Sequence, residues 1–337
     1  MQKRISIGKA DNITRGQPWF EDGNIVLLTH ENPTAFRLHR GVLGRHSEIF
    51  NDMLQMPQPD TLNIQHFEGC PVVVMHDHPT DLSSLVIALY DGPYFANTKI
   101  EDFFYLCSIL RLSTKYFISN LRRKAAQFLE QTWSSSLKGH DAMVEAALTS
   151  PSINGFTYPF VHPLHVLNLA RETDVQIVVP SALYFLSLYP LSDILKADHP
   201  KLLYEHPSKP ASTLSSSDLL LYSLMYQHRL QIMSTFIRNF CTIRVAEPPC
   251  SSSTCGKSFS RLVSQLHRSW SLRTGPLHFI AQAIQQVSGD QTICSECRTE
   301  FAAEATKLRK QVWDELPSVV LLPSWDQVMR PSSIMAG

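Results

Sequence analysis

The sequence predicts an α+β protein: a small sheet near the amino terminus packed among helices, followed by a mostly α-helical region that ends in a cysteine-bearing terminal segment. Three observations carry that prediction. Short runs of β formers bounded by turn residues lie at residues 24–38 and 71–75, apolar residues recur at helical spacing from Val42 onward, and 44% of the 337 residues are apolar, enough to bury a real core.

Residues 24–30, NIVLLTH, follow the turn signal Asp22-Gly23 and form the first predicted strand. Asn32-Pro33 ends it, and Ala35, Phe36 and Leu38 continue as a second run, which makes a hairpin-sized pair. From Val42 the period changes, with Leu43, Ser47, Phe50 and Leu54 recurring at three to four residues. After the Pro-rich loop MPQPDTLN, the β-branched run PVVVM at residues 71–75 is the third predicted strand. Thr80-Asp81 offers an N-cap for the following helix, which Gly92 and Pro93 end. Two further helices bury Phe103, Leu106, Cys107 and Leu110 on one face, and Leu121, Ala125, Phe128 and Leu129 on another.

Residues 134–240 read as helices broken by surface connections rich in Pro, Ser and His, among them HPKLLYEHPSKPASTLSSSD, and no fixed-period repeat is visible. The last helix, residues 295–316, places Phe301, Ala305, Leu308 and Val312 on one side. Its charges run from Glu296, Glu300 and Glu304 to Lys307, Arg309 and Lys310, the order that complements the helix dipole.

Lys plus Arg and Asp plus Glu both number 30, so the long-range field that would concentrate nucleic acid or an anionic membrane surface is absent. The first residues hold no run resembling a signal peptide, and no window approaches the ~20 uninterrupted apolar residues that span a bilayer. The expectation is a soluble intracellular protein that meets its partners through local surfaces. Seven cysteines in a chain of this length are too few for a dense disulfide framework, and in a reducing compartment they are thiols or metal ligands.

Several histidines invite a chemical reading. His39 has the pKa range of a general base, yet no nucleophile or paired carboxylate lies at a matching spacing, and a hydrogen bond at the strand-to-helix junction accounts for it better. Beside His46, Ser47 reads as an N-cap with Glu48 in the first turn. In MHDHPTD, His76 and His78 stand two apart and on an extended segment could share a metal with Asp77 or Asp81; a polar turn leading into a capped helix competes with that reading and is favoured. No Walker-type loop, G-x-G-x-x-G, G-x-S-x-G or H-E-x-x-H occurs, and no catalytic residue is assigned.

The strongest chemical signal lies near the other end. CSSSTCGK places four residues between Cys250 and Cys255, ICSEC places two between Cys294 and Cys297, and 38 residues separate the pairs. Two close thiolate pairs on separate segments suit one tetrahedral, structural zinc ion, with no position left open for catalysis. The second pair opens a helix, whose terminal N–H groups favour thiolate. The first spacing is wider than the common one, and unligated thiols or a redox Cys-x-x-C are the alternatives.

Residues 36–54, FRLHRGVLGRHSEIFNDML, hold the pattern H-R-x-V-L-x-x-H-S-x-x-F-x-x-M on two short helices that follow a strand, a turn and a strand, and precede another strand and helix. That order resembles the BTB/POZ domain, the residues carrying the likeness being Phe36, Leu38, His39, Val42, Leu43, Ser47, Phe50 and Met53. GCPVVVMHDHPTDLSSLVIALYDG is similar to the middle strand and next helix of BTB proteins common in mushroom-forming fungi. LNLARETDVQIVVPSALYFLS and RKQVWDELPSVVLLPSWDQV more loosely resemble the carboxy-terminal half of that group. The resemblance implies a small sheet among helices that binds proteins rather than transforming substrates. Such domains self-associate, connect substrates to cullin ubiquitin ligases or bring cofactors to chromatin.

The segments expected are therefore a tail at 1–19, a BTB/POZ domain at 20–133, a helical extension at 134–240, and the Cys-pair segment with its terminal helix at 241–337. Arg40 and Arg45 are the residues expected to meet a partner, a cullin or a second copy of the chain. RISI at residues 4–7 is the candidate for the amino-terminal strand that some relatives exchange between subunits.

Overall fold

The computed structural model describes residues 13–30, 32–55, 66–246, 250 and 253–328. The RISI segment and the loop MPQPDTLN lie outside the described residues. The fold is α+β, helical apart from one small sheet, and divides into two compact units, Met1–Leu129 with Tyr204–Pro210, and Glu130–Leu203 with Ala211–Gly337.

In the first unit, β1 (Thr14–Arg15), β2 (Ile25–Thr29), β3 (Thr34–Leu38), β4 (His66–Phe67) and β5 (Cys70–Met75) form a sheet of order β1-β3-β2-β5-β4. The hairpin pairs β2 and β3 antiparallel, Ile25 opposite Leu38 and Leu27 opposite Phe36. On its other side β2 runs parallel to β5, Val26 opposite Val72. A strand in that central place is covered on both faces, which is why all five β2 residues are apolar or threonine and all are buried.

Two short helices follow the hairpin, α1 (Arg40–His46) and α2 (Glu48–Gln55). Ser47 divides them: its backbone is extended, and its Oγ accepts the Phe50 N–H at 3.0 Å while donating to the Tyr116 carbonyl at 2.6 Å. Next comes α3 (Pro79–Tyr90). Its N-cap is His78, whose Nδ1 accepts the Thr80 N–H at 3.2 Å, and not Thr80-Asp81, because Pro79 is preorganised for the first helical position. Gly92, at φ 87°, turns the chain beyond its end. The predicted apolar face of α4 (Ile100–Lys115) is buried, as are Leu121, Ala125 and Leu129 of α5 (Ser119–Thr132).

One segment of the predicted surface connection belongs to this unit. Ser208 is fully buried and donates to Asp81 Oδ1 at 2.5 Å, beside the Ser108 hydroxyl, while the His206 ring stacks 4.6 Å from Phe104.

The second unit is built from α6 (Leu137–Thr149), α7 (Pro163–Glu172), α8 (Val179–Leu186), α9 (Leu191–Lys196), α10 (Pro200–Leu203), α11 (Ser216–Thr235), α12 (Thr242–Ala246), α13 (Ser253–Ser269), α14 (Pro276–Gly289), α15 (Ser295–Val319) and α16 (Trp325–Val328). A π-helical stretch, Phe236–Cys241, joins α11 to α12 without a break, so the chain continues smoothly through the expected boundary at 240. One apolar cluster then runs from Met233 through Phe259 and Phe279 to Ala305. The spine is α15, from which Arg309 donates to the Leu277 carbonyl at 2.7 Å and Trp313 to the Ser135 carbonyl at 3.0 Å. Among the described residues no single helix is long and apolar enough to cross a membrane.

Candidate metal centre

The four cysteines singled out in the sequence come together. Cys255 lies in the first turn of α13 with Cys250 just before it, Cys294 is the N-cap of α15, and Cys297 sits in the first turn of that helix. All four sulfurs lie within 4.8 Å of one another. Zinc–sulfur bonds of about 2.3 Å in a tetrahedron place sulfurs roughly 3.8 Å apart, so the cluster is within about an ångström of a closed site. Cys255 and Cys297 are each 1% exposed and belong to the apolar cluster, while Cys250 and Cys294 are half-buried at its edge.

Hydrogen bonds orient the sulfurs. Cys297 N–H donates to Cys294 Sγ at 3.5 Å, the cap that starts α15, and Cys294 N–H donates to Cys255 Sγ at 3.3 Å. The first bond, reinforced by the Cys297, Cys250 and Cys255 thiols, draws the Cys294 pKa down to about 7. Burial first, then the thiols of Cys250 and Cys294, push Cys297 up. At Cys255 the Cys294 N–H pulls the pKa down, but burial and the surrounding thiols outweigh it and leave it raised. Four sulfurs in such proximity cannot all ionise without a cation among them, whereas a dication removes the repulsion and uses every lone pair.

No family model, curated protein or solved structure matches this chain. The chemistry of the site stands on its own residues. Arg244 packs against the apolar cluster, its guanidinium 4.0 Å from the Phe240 ring centre and 5.4 Å from that of Phe301, and it pairs with Glu304. Burial lowers its pKa, against which Cys241, Glu300 and Cys297 act to raise it. The remaining three cysteines are buried thiols outside the four-sulfur group; Cys241 shares the apolar cluster of Cys255 and Cys297, and burial pushes it up to about 12.

The histidine candidates do not converge. His78 is spent on the α3 cap, and the His76 ring faces His30 at 5.4 Å. Among the described residues the cysteines form the only group of three or more side chains placed to hold a metal. His39 is the N-cap residue of α1, with Nδ1 at 3.1 Å from the Tyr90 hydroxyl and Nε2 at 3.3 Å from Asp22. Arg40 donates its guanidinium to the Leu54 carbonyl in the last turn of α2, whereas Arg45 is exposed and makes no hydrogen bond or ion pair with a described residue.

The second unit also holds a cavity of about 280 Å³ walled by Trp133, Tyr158, Phe185 and Tyr189, with Lys201 and Arg273 on its lining. Lys201 donates to the Thr157 and Pro159 carbonyls at 2.8 and 2.5 Å, and burial lowers its pKa to about 8. Arg273 pairs with Asp193 at 2.5 Å. Neither was singled out in the sequence, because a buried lysine and an exposed one look alike in a local window.

Proposed function

We propose that the chain is a non-enzymatic, intracellular protein-interaction protein, with a BTB/POZ-type docking module as its first unit and a zinc-clamped helical bundle as its second. The observation that carries the docking reading is the order of elements in the first unit: hairpin, two short helices, strand, helix. The residues behind the resemblance occupy structural posts in that order. Phe36, Leu38, Leu43 and Phe50 are buried, and Ser47 joins the two short helices to Tyr116.

Affinity purification of the full chain from its native cell, with chemical cross-linking, tests this. Cross-links from co-purifying proteins or from a second copy are expected within residues 20–133; partners that cross-link only beyond residue 133 would overturn it. Recovery of a cullin selects the ubiquitin-ligase adaptor form of the proposal, and its absence among cross-linked partners selects a scaffold or transcription-linked regulator.

In the second unit Cys250, Cys255, Cys294 and Cys297 are the ligands of one structural zinc ion. Four thiolates around a dication leave net negative charge, which the α15 N-terminus and Arg244, close enough to feel Cys297, offset. All four positions are filled by protein, so the metal is a clamp and not a catalyst. Elemental analysis of folded, reduced protein is expected to return about one zinc per chain. A content near zero would remove the metal and leave four unligated thiols.

A further inference from the structure

A buried ammonium group calls for a counter-charge, and Lys201 has none among the described residues. The residue is 7% exposed, and burial is the one cause of its lowered pKa, with no carboxylate acting against it. Its ammonium has three N–H donors. Two go to the Thr157 and Pro159 carbonyls at 2.8 and 2.5 Å, and the third meets no acceptor among the described residues. A charge taken out of water is costly unless an opposite charge or a full set of hydrogen bonds replaces the solvent. Arg229 also runs to carbonyls, but its guanidinium lies 5.1 Å from the Tyr226 ring centre, and Arg229 is not part of the cavity wall.

Lys201 is part of that wall. So are Thr157 and Pro159, whose carbonyls hold the ammonium at the edge of the 280 Å³ space. No carboxylate lines the cavity, and its second cation, Arg273, is already matched by Asp193 at 2.5 Å. His162 and His199 feel Lys201, and both have lowered pKa values with burial as the first cause, so neither adds a cation. Asp198 acts on His199 but not on Lys201. The uncompensated charge at the cavity is therefore the single positive charge of Lys201.

Most of the remaining wall is apolar or aromatic. Trp133 and Phe185 meet edge to face, ring centres 5.7 Å apart at 89°, and Tyr158 and Tyr189 add two more rings. Such walls favour a ring over an aliphatic chain, through face and edge contacts. Size narrows the occupant further. An apolar cavity of about 150 Å³ admits benzene, and drug-sized ligands occupy roughly 300–1,000 Å³. A space of 280 Å³ suits one ring with a short arm.

We infer that the cavity of the second unit binds a small aromatic monocarboxylate, its ring among Trp133, Phe185 and Tyr189 and its carboxylate on the free N–H of Lys201. Neither the docking module nor the zinc ion takes part, so failure of this binding leaves both of those readings where they stand.

Isothermal titration calorimetry of the full chain tests it, with phenylacetate, the neutral phenylacetamide, the cation benzylamine and the ringless hexanoate as probes. For a ligand of this size, phenylacetate is expected to bind with a Kd on the order of 0.1–1 mM. The other three are expected to bind about tenfold more weakly or not at all. Lys201→Met is expected to remove that preference for the carboxylate, whereas Arg273→Gln, whose charge Asp193 already meets, is expected to keep it. Because Lys201→Met also strands two carbonyls, a second measurement leaves the chain unaltered. Photolysis of bound 4-azidobenzoate is expected to label Trp133, residues 157–163 or residues 185–189, and excess phenylacetate is expected to suppress the label. No heat of binding at about 10 mM phenylacetate would overturn the inference. So would equal or tighter binding of any of the other three probes, or a suppressible label confined to residues outside the cavity wall.

Discussion

The two units settle their buried polar groups in different ways. In the first, polar side chains meet one another: Lys115 and the Tyr116 hydroxyl converge on Asp77, and the hydroxyls of Ser108 and Ser208 converge on Asp81. The second has such pairs as well, Arg171 with buried Asp218 among them, but two of its buried cations run to backbone carbonyls alone. Arg229, fully buried, donates to the carbonyls of Ser187, Leu272 and Thr274, and Lys201 to those of Thr157 and Pro159. A sheet satisfies its backbone through ladders, whereas every helix leaves carbonyls unpaired at its end. A unit made of helices and loops must find donors for them elsewhere, and Ser187, at the end of α8, is one such carbonyl.

The largest expected effect falls on the cysteine cluster. With zinc bound, chelation or Cys297→Ser removes a ligand set whose metal is worth on the order of 10 kcal/mol in small zinc domains. Cys297 is part of the apolar cluster, so its loss reaches Phe259 and Phe301 as well as the metal. Hydrogen–deuterium exchange is expected to rise throughout α13, α14 and the first half of α15 while β2, β3 and β5 stay protected. Unchanged exchange in those helices would show that packing alone holds them.

Arg229→Met comes next. It keeps much of the apolar stem and strands three carbonyl oxygens with no donor, at a cost of roughly 3–5 kcal/mol. The expected readout is a lower denaturant midpoint for the second unit, with fast exchange at residues 270–275. A cost under about 1 kcal/mol would mean that water replaces the guanidinium.

The same unit carries the pH dependence. Burial, then Arg309 and His278, lower the pKa of His140 to about 3. Burial, then His199, His165 and Lys201, lower His162 to about 2, consistent with its Nδ1 accepting the Leu164 N–H as an N-cap. Both are neutral when folded and take up a proton more readily when unfolded, near pH 6.5. Their contribution is therefore complete above that pH and is lost as pH falls toward the folded values. Between pH 7.5 and 5.5 the two together remove about 3 kcal/mol. With zinc in excess, His140→Phe combined with His162→Asn is expected to flatten that slope, and an unchanged slope would place the protons elsewhere.

The difference between the units also decides what could be read from the sequence. The hairpin, PVVVM and the Ser47 cap rest on period and turn chemistry within a few residues, and all three stand where those local rules put them. The cysteine pairs were legible because thiols at close spacing are rare enough to point to each other. The place of Ser208 beside Asp81, 127 residues away, has no local signature, and neither has the burial of Arg229. Arg40 shows the same limit: its hydrogen bond to the Leu54 carbonyl, 14 residues on, has no local signature.

The smallest expected effect belongs to the first unit, where it can be traced to one hydroxyl. Ser47→Ala removes the acceptor of the Phe50 N–H and the donor to the Tyr116 carbonyl in a buried setting. Loss of an N-cap costs about 1 kcal/mol, and an unsatisfied buried carbonyl adds a comparable amount, so roughly 1–2 kcal/mol is expected. Phe50 still stacks on Tyr116, so the corner is held by its rings and the unit stays folded. Faster amide exchange is expected at residues 48–52, with the second unit untouched. Ser47→Thr, which keeps the hydroxyl, is expected to restore most of the loss; failure to do so would mean that the site tolerates no added methyl and that Ser47 is chosen for its size as much as for its cap.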